Sequence, residues 1–67
     1  MKMRFTNFQL QLCAERELRM RKRVYPNRVS TGRMKMHDAE LQIEMMAQIA
    51  QDYADRAEAD AARERLL

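Results

Sequence analysis

Apolar residues recur at helical spacing in two stretches of this chain, and its one proline and one glycine both lie between those stretches. In the first stretch, the apolar side chains fall within one arc of about 160° on a helix; they are Leu10, Cys13, Ala14, Leu18, Met20, Val24 and Tyr25. In the second stretch they step by four and by three, as in a heptad seam; they are Ala39, Ile43, Met46, Ala50, Tyr53 and Ala57. The pattern predicts an all-α fold of two amphipathic helices, over about residues 7–25 and 36–65 of a single domain spanning residues 1–67.

The segment between the helices, residues 26–35, predicts a chain reversal. The residue before a proline avoids the α region, so we expect the first helix to end at about Tyr25. Pro26 then begins a separate helical turn, which Gly32 ends in the left-handed conformation. At the start of the first helix, Thr6 and Gln9 have the spacing of a capping box. The predicted architecture is an antiparallel helical hairpin, in which we assign structural roles to Tyr25, Pro26, Gly32, Ile43, Met46 and Tyr53.

The chain is short, and this predicts self-association. A chain of 67 residues buries only about 60% of its unfolded surface and needs a further source of stability. Cys13 is the only cysteine, so it cannot form an internal disulfide, and with His37 it gives too few ligands for a structural zinc. We expect no cofactor and no metal, and we expect a two-fold homodimer. The unequal helices support this, because the second would extend about 17 Å past the first.

Charge divides the chain into a basic half and an acidic half. Residues 1–35 hold ten Lys/Arg against two Asp/Glu, a net +8, and residues 36–67 hold three against eight, a net −5. Either the two halves fold together and neutralise each other, or the basic helix is an electrostatic footprint for nucleic acid. Within the first helix, Glu17 and Arg21 have the favourable order for an i,i+4 pair. That pair is either a surface pair over a partly wet seam or a polar element that fixes register in an interface.

Several classes of function find no support in the residues. No apolar run reaches the roughly 18 residues that a membrane span requires. The single histidine, His37, has Asp38 beside it, and adjacent residues of a helix do not face each other. One glycine is too few for a phosphate-binding loop. We therefore predict that the chain is not an enzyme. Its lone cysteine and its early polar N-terminal stretch favour the cytoplasm.

Two apolar pairs remain outside the predicted seam between the helices. Phe8 and Leu12 point away from the first apolar arc, and Met45 and Ile49 lie to one side of the second helix's seam. Methionine side chains adapt to irregular partners, and a helix face docking into a groove is a common mode of recognition. We predict a protein-binding site made of Phe8, Leu12, Arg16, Arg19, Arg23, Met45 and Ile49. The alternative is that the same side chains close the homodimer.

The stretch VYPNRVSTGRM, followed by AELQIEMMAQIAQDY and a tail ending in ERLL, resembles a family of small proteins encoded by temperate phages and prophages of proteobacteria. The resemblance covers about two-thirds of the chain. The matching positions are Val24, Tyr25, Pro26, Val29, Gly32, Arg33, Met34, Ala39, Ile43, Met46, Ile49, Asp52 and Tyr53. Lys35 departs from the family pattern, because relatives often carry a helix-capping threonine there.

The resemblance implies a host-directed role. Small phage proteins of this build include an anti-activator that blocks a quorum-sensing transcription activator and a pilus-assembly ATPase of a pseudomonad. We therefore expect a protein that binds and inhibits a host protein in the bacterial cytoplasm, with no membrane association. The alternatives are an anti-defence inhibitor of the anti-CRISPR type and a regulator that binds nucleic acid through its basic first helix. The basic residues concerned are Arg16, Arg19, Arg21, Lys22, Arg23 and Arg28.

Overall fold

Two helices joined by a tight turn make up the described part of the protein. The computed structural model describes residues 4–66, so residues 1–3 of the N-terminal stretch discussed above, and Leu67, lie outside it. Helix α1 spans Asn7–Ser30 and helix α2 spans Met36–Leu66. They pack along each other in a body of 53 × 20 × 17 Å. The predicted all-α helical hairpin is confirmed.

The start of α1 is fixed by the capping box that its sequence predicts. The Gln9 backbone N–H donates to the Thr6 hydroxyl oxygen at 3.0 Å, and the Thr6 backbone N–H donates to Gln9 Oε1 at 2.9 Å. These two bonds satisfy N–H groups that have no partner within the helix. The chain therefore enters α1 at one defined residue.

The end of α1 differs from the sequence prediction, because the helix continues through Pro26 to Ser30. Proline has no N–H, so the bond from position 26 to the Lys22 carbonyl is missing. The turn expected to begin separately at Pro26 instead extends the same helix. Tyr25 and Val29 are both half-buried, so continuing the helix keeps two apolar side chains against α2. The local preference of the residue before proline is outweighed by this packing.

Gly32 ends α1 in the conformation that the sequence predicts. Its φ is +76°, and no other described residue apart from this glycine has a positive φ. The Gly32 N–H donates to the Val29 carbonyl at 3.1 Å, and the Arg33 N–H donates to the Arg28 carbonyl at 2.8 Å. This pair of bonds is a Schellman motif, which satisfies two carbonyls at the helix end. The reversal therefore depends on a left-handed residue at position 32.

Because α1 is longer than predicted, the overhang of α2 is shorter. The helices have 24 and 31 residues, or about 36 Å and 46 Å, so the difference is about 10 Å rather than 17 Å. At the first residue of α1, the Asn7 side-chain amide donates to Asp60 Oδ2 at 2.9 Å. The expected overhang is thus reduced to the last turns of α2, and it gives less support to a dimer than predicted.

The seam between the helices is closed by small side chains. Within residues 4–66 the buried side chains are Ala14, Ala39 and Ala50, and no large side chain is fully buried. Alanines at a helix contact let the two backbones approach closely. Larger seam residues are half-buried; they are Leu18, Tyr25, Ile43, Met46 and Tyr53. The hairpin alone therefore leaves large apolar side chains exposed, among them Phe8, Leu12 and Met45.

Candidate protein-binding surfaces

Arg21 connects the two helices from within the seam. Its Nε donates to Glu17 Oε1 at 3.0 Å, and its Nη1 donates to the Gln42 backbone carbonyl of α2 at 2.9 Å. The Arg21 side chain is only 19% exposed. A guanidinium has several donors in a fixed plane, so one side chain serves both partners. Arg21, paired with Glu17, thus supplies a hydrogen bond between α1 and α2 within one chain.

Ion pairs do not join the basic and acidic halves in the described part of the chain. The two pairs there, Glu17 with Arg21 and Asp60 with Arg63, each lie within one helix. The polar contacts between helices are instead Asn7 with Asp60 and Arg21 with the Gln42 carbonyl. The hypothesis that the halves neutralise each other therefore finds no direct ion pairs between helices over residues 4–66.

The predicted binding residues are exposed, as their positions on the helices require. Phe8, Leu12, Met45 and Ile49 are between 42% and 56% exposed. The three arginines predicted beside them are also exposed; they are Arg16, Arg19 and Arg23. No acidic side chain among residues 4–66 forms an ion pair with any of these arginines. These arginines form the outer edge of α1, on the side away from α2.

These residues do not form one site, because the two apolar pairs lie on opposite sides of the hairpin. At about 100° per residue, Phe8 and Leu12 lie about 120° and 160° from the buried direction of α1. Met45 and Ile49 lie about 120° and 80° from the buried direction of α2, in the opposite rotational sense. Two right-handed helices that run antiparallel place equal senses of rotation on the same side. Opposite senses therefore place the two pairs on opposite sides.

A groove near the turn agrees with this assignment of sides. Pro26 and Val29 of α1, and Met36 and Glu40 of α2, line the same groove. All four are rotated from the buried direction in the same sense as Phe8. This side also carries the half-buried Tyr25, one of the residues given a structural role from the sequence. We call it the Phe8 side of the hairpin, and we call the other the Met45 side.

No protein-family model, curated protein or solved structure matches this chain. The resemblance to phage proteins therefore stays a prediction.

The Met45 side carries a second group of apolar side chains, which we call the methionine face. It consists of Met20, Val24, Leu41, Met45 and Ile49. Arg21 bonds to Gln42, and Asn7 bonds to Asp60, across the seam. These two contacts place Met20 within about one helical turn of the height of Met45, and Val24 within about one turn of Leu41. The sequence pattern placed Met20 in the buried arc of α1, whereas it is 43% exposed. The buried Ala14, rather than the middle of the predicted arc, marks the side of α1 that contacts α2. Measured from Ala14, the Met20 side chain points toward the Met45 side of the hairpin.

The Phe8 side has an apolar groove at the open end of the hairpin. Phe8 lines it together with three apolar residues near the end of α2, namely Ala57, Ala61 and Leu66, and its polar lining residues are Thr6, Asp60, Arg63 and Glu64. We call this the Phe8 groove. Leu12 lies one helical turn further along α1 and continues the apolar surface. The sequence identified Phe8 and Leu12, but it did not identify the small residues of α2, because alanines give no signal of a binding surface.

Metal-binding and membrane-spanning features are not found within residues 4–66. This range contains no cluster of three or more His, Cys, Asp or Glu side chains that would hold a metal ion. Neither α1 nor α2 combines the length and apolar character needed to cross a bilayer. Cys13 is a free, exposed thiol and His37 is exposed.

Proposed function

We propose that this chain is a protein-binding module that acts as a homodimer and inhibits a host protein in the bacterial cytoplasm, without enzymatic activity. The observation that carries the proposal is that small side chains are buried in this hairpin while large apolar side chains are exposed. Alanines are buried between the helices, while Phe8, Leu12, Met20, Met45 and other large apolar side chains are exposed. Exposed apolar patches on small proteins mark surfaces that contact other molecules.

The Phe8 groove, extended by Leu12, is the proposed surface for the host target. Aromatic and arginine side chains dominate the energetics of protein interfaces, and Arg19 lies on this side of α1 about two helical turns from Leu12. Phe8 is 56% exposed, so a partner that covers it gains apolar contact without any rearrangement of the hairpin. A partner helix or loop of apolar character fits this surface. The family resemblance suggests a quorum-sensing transcription activator or a pilus-assembly ATPase as targets.

The proposal is tested by measuring binding to these two purified proteins with biolayer interferometry. We expect the full chain to bind at least one of them, and Phe8→Ala with Leu12→Ala to weaken that binding by about 100-fold, as loss of two central contacts does. Glu44→Ala is the matched control, since Glu44 is exposed on α2 and away from the groove; it should bind like the unmodified chain. Absence of binding to both proteins would reject these targets, and unchanged binding by the double variant would reject the groove.

Nucleic-acid binding is the second candidate, and the exposed arginines of α1 favour it. Arg16, Arg19 and Arg23 lie along one edge of the helix and have no acidic partner in residues 4–66. If this edge contacts phosphates, affinity for duplex DNA falls steeply with salt, and each arginine changed to alanine reduces the salt slope by about one. Fluorescence anisotropy at 50 and 200 mM salt measures this. Negligible binding at the lower salt would reject the candidate.

An inhibitor of a defence nuclease is a third target class for the same groove. It would use the same Phe8 and Leu12 contacts, so the groove variant separates it from direct binding to nucleic acid.

A further inference from the structure

We infer that the methionine face is the surface through which two copies of this chain associate, in a four-helix bundle that places α1 of each copy against α2 of the other. The inference rests on the homodimer proposed above, and it adds the face, the orientation and the contacts. It leaves the Phe8 groove on the outside of the dimer. Self-association and target binding thus use different surfaces.

The first support is the composition and position of the face. Met20, Leu41, Met45 and Ile49 are each between 42% and 50% exposed, and they cluster at the middle of the hairpin's length. A second copy of the same face provides a matching apolar surface, since a two-fold contact joins a patch to itself. Their burial would also give the hairpin the large-residue core that its alanine seam lacks.

The second support is the charge on the two edges that border the face. The outer edge of α1, which borders this face, carries the exposed Arg16 and Arg23, while α2 carries the exposed Asp38 and Asp52 on the Met45 side. None of these four side chains has an ion-pair partner within residues 4–66. A second copy can therefore supply the opposite charge that each edge lacks. Complementary edges of this kind determine orientation more than affinity.

These charges decide between two symmetric orientations. If the two-fold axis runs across the helices, α1 packs on α1, and the arginine edges of both copies meet with like charge. If the axis runs along the helices, α1 packs on the partner's α2 and both turns lie at the same end. A rotation about this axis leaves the height of every residue along the helices unchanged. Arg16 therefore lies within about one helical turn of the partner's Asp52, and Arg23 within about one turn of the partner's Asp38. The structure assigns the second orientation.

The face is tested by sedimentation equilibrium of the full chain over a concentration series. We expect the unmodified chain to be a dimer, and Met45→Glu with Ile49→Glu to be a helical monomer, because both side chains are exposed in the single hairpin. Phe8→Glu with Leu12→Glu is the matched control, because it adds the same charges on the opposite side; it should remain dimeric. A monomeric unmodified chain would overturn the homodimer and this inference together. A dimer that survives the Met45 and Ile49 changes would overturn the face alone.

The orientation is tested with charge reversals that leave the apolar contacts intact, so that folding is retained. Arg16→Glu and Asp52→Arg should each weaken the dimer by about 5- to 10-fold, because each change creates two like-charge contacts in a symmetric pair. The two changes in one chain restore opposite charge at both contacts, and affinity should return to within about two-fold. Additive weakening in the double variant would overturn the assigned orientation. Loss of binding to the host target without loss of the dimer would instead concern the Phe8 groove.

Discussion

Replacing Gly32 tests how far the hairpin depends on one backbone conformation. The residue has φ +76°, and a Cβ added there would meet no heavy atom within 4 Å. The cost of Gly32→Ala is therefore conformational and not a steric clash with another part of the protein. A left-handed conformation costs an L-residue roughly 1–2 kcal/mol. Alanine also restricts the unfolded chain, which offsets about 0.4–1 kcal/mol of that cost. We expect a net destabilisation of about 1 kcal/mol.

The assay is thermal and urea unfolding followed by circular dichroism at 222 nm. For a domain of this size, about 1 kcal/mol lowers Tm by roughly 4–8 °C, with no change in the dependence on urea if the fold is retained. All variants are compared at one protein concentration, because association makes Tm depend on concentration. Gly32→Asn should fall between glycine and alanine, since asparagine tolerates the left-handed region better than alanine does.

Arg33→Ala is the matched control, because Arg33 is exposed in the same turn and its φ is not positive. It should stay within about 0.5 kcal/mol of the unmodified chain. If Gly32→Ala unfolds at the same midpoint as the unmodified chain, or if Gly32→Asn is the less stable of the two, the left-handed requirement does not control the reversal.

Three other substitutions test the remaining determinants of the hairpin. Pro26→Ala restores a helical N–H inside α1 and should raise Tm, with about 1 kcal/mol gained after the unfolded-state term; a lower Tm would show that the helix depends on proline's fixed φ. Arg21→Met removes the bond to the Gln42 carbonyl and should cost about 1–2 kcal/mol in urea unfolding, with Arg21→Lys only partly rescuing it. Ala50→Leu forces the helices apart and should cost about 1–3 kcal/mol, whereas equal stability would mean that the alanine seam is not closely packed.

Signals that involve only a few neighbouring residues were enough to predict where α1 begins and which residue of the turn is left-handed. The capping box needs only Thr6 and Gln9, and the left-handed position needs only a residue without a Cβ at 32. Both are complete within one turn of chain, so no tertiary information enters. The start of α2 was also predicted at Met36, although Lys35 provides no capping oxygen there.

The end of α1 was not predicted correctly because it depends on a competition between local and tertiary terms. The rule for the residue before proline concerns one dipeptide. In the folded chain, a break at Tyr25 would redirect the following turn and take Val29 away from α2. Keeping one axis loses a single backbone hydrogen bond and retains both half-buried side chains. The preference of the residue before proline can be read from the sequence, whereas the packing of these two side chains depends on where α2 lies.

The sequence predicted which residues belong to the candidate surfaces, but it did not predict that the two apolar pairs lie on opposite sides of the hairpin. Phe8, Leu12, Met45 and Ile49 were all identified, because large apolar residues off a seam stand out in a helical projection. Their separation onto two sides follows from combining rotational sense with antiparallel direction. The inward direction of α1 was harder, because seven apolar residues form a broad arc and the closest contact falls on its smallest member, Ala14.

The separation of the two surfaces has a consequence for how the proposed dimer would engage a target. Two copies joined through their methionine faces have their Phe8 grooves on the two outer sides, and the shared orientation places both grooves toward the same end, opposite the turns. In this arrangement the two grooves lie apart, so a target bound at one does not obstruct the other. A dimeric target that presents two copies of its site at matching separation would gain from both contacts at once. The hairpin's small buried side chains and its large exposed ones then have complementary roles, because the alanines let α1 and α2 approach closely while the large apolar side chains outside the seam form the two proposed binding surfaces.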